Sequence, residues 1–328
     1  MRIIAEIGSV HDGSFGNALH LIDAAASAGA DTVKFQTHIA EAETLTDAPS
    51  PSYFKAEKRV DYFKRTGFSL DQWKSLSERA RENKVTFLSS PFSIEAVELL
   101  EKLNMAAYKI PSGEVSNLPL LEKIAATKKP VLLSSGMSAW NELDRAVSVL
   151  KKGGPLTILQ CSSVYPCPPE KVGLNVLEEM KNRYQIPVGF SDHTLGIAAP
   201  LAAASLGATV IEKHFTFSRS MYGSDAKHSM EPQEFLQMST ALKEIWRMLE
   251  NPVDKSNVES YIEMKKIFEK SIVTASQLSA GTVLENHHLA FKKPGDGINA
   301  ADYSKVIGKK IKRDLPSDYK LREEDLTL

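Results

Sequence analysis

Apolar runs of strand length recur along the chain, separated by longer segments whose apolar residues fall at helical spacing. This is the pattern of repeated βα units and a parallel sheet. Eight runs can be read: IIAEIG (3–8), TVKFQT (32–37), VTFLSS (85–90), AAYKIPS (106–112), VLLSSG (131–136), LTILQCS (156–162), VGFSDH (188–193) and TVIEKH (209–214). Between the first two, NALHLIDAAASAGA repeats Leu19, Ile22 and Ala26 on one helical face and stops at Gly29. NLPLLEKIAATKK and AAPLAAASLGA read the same way. Eight βα units in succession predict an α/β fold, a (β/α)8 TIM barrel, with a doubly wound open sheet as the alternative. What favours the barrel is that every run finishes on polar residues, as strands do where a barrel enzyme builds its site.

The texture changes after Trp246. Residues 251–267 read as a polar linker with a helical turn or two, and 268–328 as a small β-rich module with Gly and Pro turns. The predicted organisation is therefore a barrel over 1–250, a linker over 251–267 and a second domain over 268–328.

Composition narrows the partners. In 328 residues, 42% are hydrophobic and 25% charged, and the formal charge is -1, which gives no electrostatic reason to expect nucleic acid or an acidic membrane. The opening MRIIAEIG meets Glu6 too soon for a signal peptide or a membrane span, so a cytoplasmic protein is expected. Cys161 and Cys167 match neither a zinc knuckle nor a CxxC pair and read as reduced thiols.

The chemistry sits at the run ends. Side chains alternate along a strand, so Glu212 and His214 share a face that Lys213 does not. If the last two runs are neighbouring strands, His193 and His214 can converge on one divalent cation; separately, each is equally a structural or exposed histidine. Lys34 and Lys109 lie inside strands, where an inward ammonium implies an anion in the barrel mouth. Hydroxyls at Ser90, Ser112, Ser135, Ser163 and Ser191, with Ser89 and Ser134 beside them, suit a phosphate or carboxylate, although any one of them reads equally as a strand-end hydrogen bond. Glu6, Glu114, Glu212 and Asp225 supply carboxylates, either as ion-pair partners or as groups that bind sugar hydroxyls and move protons.

Taken in order, AEIGSVHDGS, VKFQTH, FLSSPFS, YKIPSGE, LSSGM, GFSDHT and IEKHFT resemble the sialic acid synthase family, and the tail with SIVTASQLSAGTVL and FKKPGDGI resembles its antifreeze-like (SAF) domain. That resemblance implies a transferase that condenses phosphoenolpyruvate with an open-chain N-acylated mannosamine-like or diacetamido-trideoxy aminosugar, giving a nine-carbon 2-keto-3-deoxy sugar acid and phosphate. It implies manganese or magnesium on His193 and His214. It assigns phosphoenolpyruvate to Lys34, Ser90, Lys109, Ser112, Ser135 and Ser191, and the sugar or water addition to Glu6, Gln36, Glu114, Tyr165 and Asp225. Glu6, Glu114, Lys109 and His214 are the expected catalytic residues.

It further implies a domain-swapped homodimer in which the small domain of one subunit covers the partner's barrel and offers a cation to the N-acyl group, here Lys293 where the family has arginine. Val10 and Ser163 also depart from the asparagines usual at those positions, near the expected substrate. Two alternatives stand beside this reading: a class I aldolase using Lys109 as a Schiff base, and a non-catalytic carbohydrate-binding protein.

Overall fold

The computed structural model describes residues 1–49 and 57–327. It divides into two compact units, Met1–Asn251 and Pro252–Leu328. In the first, the strands are β1 (Arg2–Gly8), β2 (Thr32–Thr37), β3 (Thr86–Pro91), β4 (Tyr108–Ile110), β5 (Val131–Ser134), β6 (Leu156–Cys161), β7 (Val188–Asp192) and β8 (Val210–His214). They form one eight-stranded sheet in the order β3-β2-β1-β8-β7-β6-β5-β4, parallel throughout its ladders. β3 and β4 lie side by side and close the cylinder. The fold is a (β/α)8 barrel, and β7 and β8 are neighbours, with Ser191 opposite Glu212.

The helices form where apolar spacing and caps agree. Ser14 caps the helix Phe15–Ser27 by accepting the Asn17 amide at 3.2 Å, and the helix buries Ala18, Leu21, Ile22 and Ala25 against the barrel. Ser69 and Gln72 make a reciprocal capping box at the start of Leu70–Glu82. The long helix Pro232–Glu250 is tied to the barrel by Trp246, whose indole N–H donates to the Ala208 carbonyl at 3.2 Å.

Two features differ from the expected pattern. β4 is three residues long rather than the full 106–112 run: Ala106 lies in a bend ahead of it, and Pro111, with no N–H to give a ladder, follows its end. Between β2 and β3 the chain inserts two helices, Ala40–Glu43 and Arg59–Thr66, ahead of Leu70–Glu82.

The second unit carries the helix Ile262–Phe268 and an antiparallel pair, β9 (Ser271–Thr274) with β10 (Leu289–Lys292). Single bridges such as Leu278 to Leu315 and Ile311 to Leu326 fold the remainder round its own core of Ile272, Leu284, Ile311, Leu315 and Leu321. Asp325 is fully buried and is held by the Arg313 guanidinium at 2.7 Å.

Candidate active site

The carboxyl ends of the strands surround a cavity of about 400 Å³, within the usual range for small-molecule sites. At its floor four charged side chains are buried together. Lys34 Nζ lies 2.7 Å from Glu6 Oε2 and 3.7 Å from Glu212 Oε1, while Lys109 Nζ lies 3.1 Å from that same Glu212 oxygen. Lys34 also donates to Ser90 Oγ at 3.3 Å, and Ser191 Oγ donates to Glu212 Oε1 at 3.1 Å. Two inward lysines thus exist because two inward carboxylates neutralise them.

The two carboxylates are not equivalent. Burial raises the Glu6 pKa to about 7, with Lys34 only partly offsetting it and Glu212 adding repulsion. Burial acts on Glu212 in the same sense, but Lys109 and then Lys34 overcome it and hold that group at about 2. Lys109 is itself lowered by burial, which Glu212 only partly opposes. Lys34, facing both carboxylates, is raised although burial works against it.

A hydroxyl-lined nook adjoins the lysines. A Cβ added at Gly136 would lie 2.4 Å from Ser163 Oγ and 2.6 Å from Ser112 Oγ, so glycine leaves the backbone and two hydroxyls close together. Such a nook suits a small oxyanion. Ser134 lines the cavity; Ser135 does not, and instead donates to Gln160 Oε1 at 3.1 Å and accepts the Cys161 amide at 3.3 Å.

On the opposite wall, Gln36 Nε2 donates to Glu6 Oε1 at 2.8 Å, and Asp225 Oδ2 lies 2.8 Å from where a Gly8 Cβ would stand. Gly8 has φ +55, so both its backbone and its lack of a side chain let these three groups meet. Just behind, His11 is buried. It accepts the Gly13 amide on Nδ1 at 3.1 Å, bonds the backbone of Gly8 and packs on Phe68 with ring centroids 4.6 Å apart.

The histidines of the last two strands converge. Their ring centroids are 5.5 Å apart, and Tyr165 packs against His193 with centroids 4.1 Å apart and planes tilted by 37°. His193 Nδ1 donates to the Ser162 carbonyl at 2.7 Å; burial lowers its pKa but the neighbouring Cys161 outweighs that and raises it, so Nε2 offers a lone pair when the ring is neutral. Burial lowers His214 to about 4 and keeps it neutral, and its Nδ1 is buried with no hydrogen-bond partner among the described residues. Imidazole nitrogens sit roughly 2 Å from a bound cation, so rings at this separation can share one. Among the described residues no third His, Cys, Asp or Glu completes a cluster with them. Any cation here would take its remaining ligands from water or substrate.

Glu114 is half-buried in the turn after β4, outside the cavity lining, where Asn117 donates to it at 2.8 Å and burial raises its pKa. Lys293 belongs to the second unit, with its ammonium 5.0 Å from the centre of the Phe268 ring. Several lining residues escaped the sequence reading: His38, Arg59, Phe63, Phe92, Cys161 and His228. His38 was within reach, because it continues the Lys34, Gln36 alternation by one step.

Barrel enzymes keep their chemistry at this end of the strands, and the buried charges and hydroxyls gathered there place the protein in that class. A family model described as the NeuB family matches residues 21–254, and one for the SAF domain matches 269–327. The chain is 37% identical to the N,N'-diacetyllegionaminic acid synthase of Campylobacter jejuni over 98% of both chains. It is 34% identical to human N-acetylneuraminate-9-phosphate synthase, over 98% of this chain and 91% of that one. A crystal structure of the N-acetylneuraminic acid synthetase from Leptospira borgpetersenii, in complex with citrate, superposes with a TM-score of 0.71 at 33% identity, covering 80% of this chain and 90% of that one. The chain belongs to the NeuB family, is an enzyme of that family, and ends in a SAF domain. Among the described residues no helix is long and apolar enough to cross a membrane.

Proposed function

We propose that the protein condenses phosphoenolpyruvate with the open-chain aldehyde of an N-acylated mannosamine-like or diacetamido-trideoxy sugar, giving a nine-carbon 2-keto-3-deoxy acid and phosphate. The observation that carries this reading is the pairing of Lys34 and Lys109, beside the Ser112 and Ser163 hydroxyls, with an imidazole pair in one cavity. The names borne by the two relatives above, a diacetyllegionaminic acid synthase and an N-acetylneuraminate-9-phosphate synthase, agree with it.

Phosphoenolpyruvate would take its phosphate and carboxylate to Lys34, Lys109, Ser90, Ser112, Ser163 and Ser191, with Ser134 the strand-end hydroxyl nearer the cavity than Ser135. The sugar would face Gln36, Asp225 and Tyr165. The enol carbon C3 bonds to the aldehyde carbon, whose oxygen takes a proton. Water then adds to the cation left at C2 and gives up a proton, and the C2–O–P linkage breaks at carbon so that phosphate leaves and the ketone forms. Glu6, titrating near neutrality and wedged between Gln36 and Lys34, is placed to take the proton of that water. The lysines stabilise the charge as it passes to phosphate.

His193 and His214 fit a manganese or magnesium ion, which when bound would polarise the aldehyde. The reading includes a cytoplasmic homodimer in which the SAF domain of one subunit serves its partner and Lys293 meets the N-acyl group. Turnover in ¹⁸O-labelled water tests the chemistry. Unlabelled phosphate released with the keto acid is the expected result; labelled phosphate would show cleavage at phosphorus and overturn the scheme. Borohydride with pyruvate should leave Lys109 unlabelled, and trapping there would bring the aldolase forward.

A further inference from the structure

The Gln36 amide has two ends, and a neighbour that the proposed reaction does not use decides which way it faces. Its Nε2 lies 2.8 Å from Glu6 Oε1, and its Oε1 lies 3.1 Å from His38 Nε2. The other ring nitrogen of His38, Nδ1, meets Glu43 Oε1 at 2.7 Å. An amide orientation is fixed by what its neighbours can donate or accept. In its ionised form, the one that takes a proton in the proposed reaction and that Lys34 holds at 2.7 Å, the Glu6 carboxylate only accepts, so Gln36 then turns its NH2 toward it and presents the amide carbonyl to His38. The ring must then donate through Nε2. Glu43 also only accepts, so Nδ1 donates as well, and the ring carries both protons.

Two further observations agree with a cation at this point. The ring lies between Phe63, with centroids 3.7 Å apart and planes 8° apart, and Phe92, at 4.1 Å and 23°. Aromatic faces attract a cation held over them. The side chains of His38 and Glu43 are only 6% and 5% exposed, and Glu43 Oε2 has no hydrogen-bond partner among the described residues, so the ring is the countercharge that burial of this carboxylate requires.

We propose that His38, clamped between Phe63 and Phe92 and charged against Glu43, is the positioning residue that turns the Gln36 amide so that its NH2 faces Glu6. A neutral ring offering a lone pair at Nε2 would draw the NH2 to itself and drive the amide carbonyl against the Glu6 carboxylate. Glu43, which does not line the cavity, thereby sets the hydrogen-bond polarity of the wall that the sugar meets. The catalytic consequence rests on the proposed function; the protonation pattern does not.

Two measurements decide it. With selective ¹⁵N-histidine labelling of the full chain at about pH 8, where Glu6 is ionised, His38 should show both nitrogens protonated, and Glu43→Gln should convert it to a single tautomer. A neutral wild-type ring would overturn the proposal, whether or not any aminosugar is turned over. In phosphate-release assays, Glu43→Gln should raise KM for the aminosugar about tenfold and leave KM for phosphoenolpyruvate within about twofold. His38→Ala and Gln36→Ala should each lower kcat/KM, with the double variant no worse than the weaker single. Losses that multiply, or a matching rise in KM for phosphoenolpyruvate, would sink the positioning role. Absence of turnover by the wild type would strike the proposed function alone, and if His38→Ala does not fold, Glu43→Gln and the ring signals still decide.

Discussion

Lys109 and Glu212, which come from strands on different sides of the barrel, meet at 3.1 Å in a buried contact on the cavity floor. Glu212 keeps its negative charge through this contact first and through Lys34 second. Lys109→Met removes the nearer countercharge and should destabilise the barrel by about 3–5 kcal/mol, the usual result of stranding one member of a buried pair. Denaturant midpoints check it, and pairing the change with Glu212→Gln should restore most of the loss. The same variant should raise KM for phosphoenolpyruvate far more than KM for the sugar; equal rises would remove Lys109 from the phosphate end.

His11 links stability to pH. Burial holds its folded-state pKa at about 4 against 6.5 when free, so between these values the unfolded chain binds more protons than the native one. Its contribution is present above pH 6.5 and is lost as pH falls toward 4, to a total of about 3 kcal/mol. Glu6, raised to about 7, opposes this over the same window and His214, lowered to about 4, adds to it, so unfolding free energy should still fall between pH 7 and pH 5 and the His11 share is read from a variant. His11→Gln, which can still accept the Gly13 amide, should be less stable at pH 7 yet show a shallower decline. An unchanged slope would mean that other groups carry the acid sensitivity.

Gly136 tests the hydroxyl nook. An alanine methyl there would crowd Ser163 Oγ and Ser112 Oγ, both ends of small side chains that can rotate away, so Gly136→Ala should fold. The displaced hydroxyls should weaken phosphoenolpyruvate by about tenfold in KM, roughly 1.4 kcal/mol. Sugar KM should hold. A variant with both constants unchanged would show that the nook is not where the phosphate or carboxylate sits.

Much of this site could be read before the fold was known, because strand alternation is a property of the sequence. Glu212 and His214 point inward and Lys213 outward, as period two requires. Where two like residues adjoin, the same rule gives no choice: Ser134 and Ser135 are chemically identical, and only the end of β5 shows which one enters the cavity. Glu114 lies beyond Pro111, where alternation stops and a turn takes over. The clamp round His38 draws Phe63 from an inserted helix and Phe92 from the loop after β3, so no window of sequence contains it.

The histidine pair makes a prediction of its own. Chelation should abolish phosphate release, and added manganese should restore it. His214→Ala should lose bound metal by elemental analysis while keeping the thermal midpoint of the metal-free wild type, since Nδ1 of His214 has no hydrogen-bond partner among the described residues. Full activity in the chelated enzyme, with no metal detected, would leave the two rings without the proposed role.

The outer face of the same two strands explains how His193 is held. Lys213 is fully buried against Asp192 and also donates to the carbonyl of Thr194, while Asp192 accepts the Thr194 amide at 2.9 Å and its hydroxyl at 3.0 Å. His193 lies between these anchors, so its backbone is fixed from behind while its ring faces the cavity. Lys213→Met strands Asp192 and should cost about 3–5 kcal/mol. Adding Asp192→Asn should recover much of that stability, because the amide keeps one acceptor for Thr194 without leaving a charge. If the anchor positions His193, the double variant should still bind manganese more weakly than wild type despite its recovered midpoint. Wild-type manganese affinity in that protein would confine Lys213 and Asp192 to the stability of the barrel.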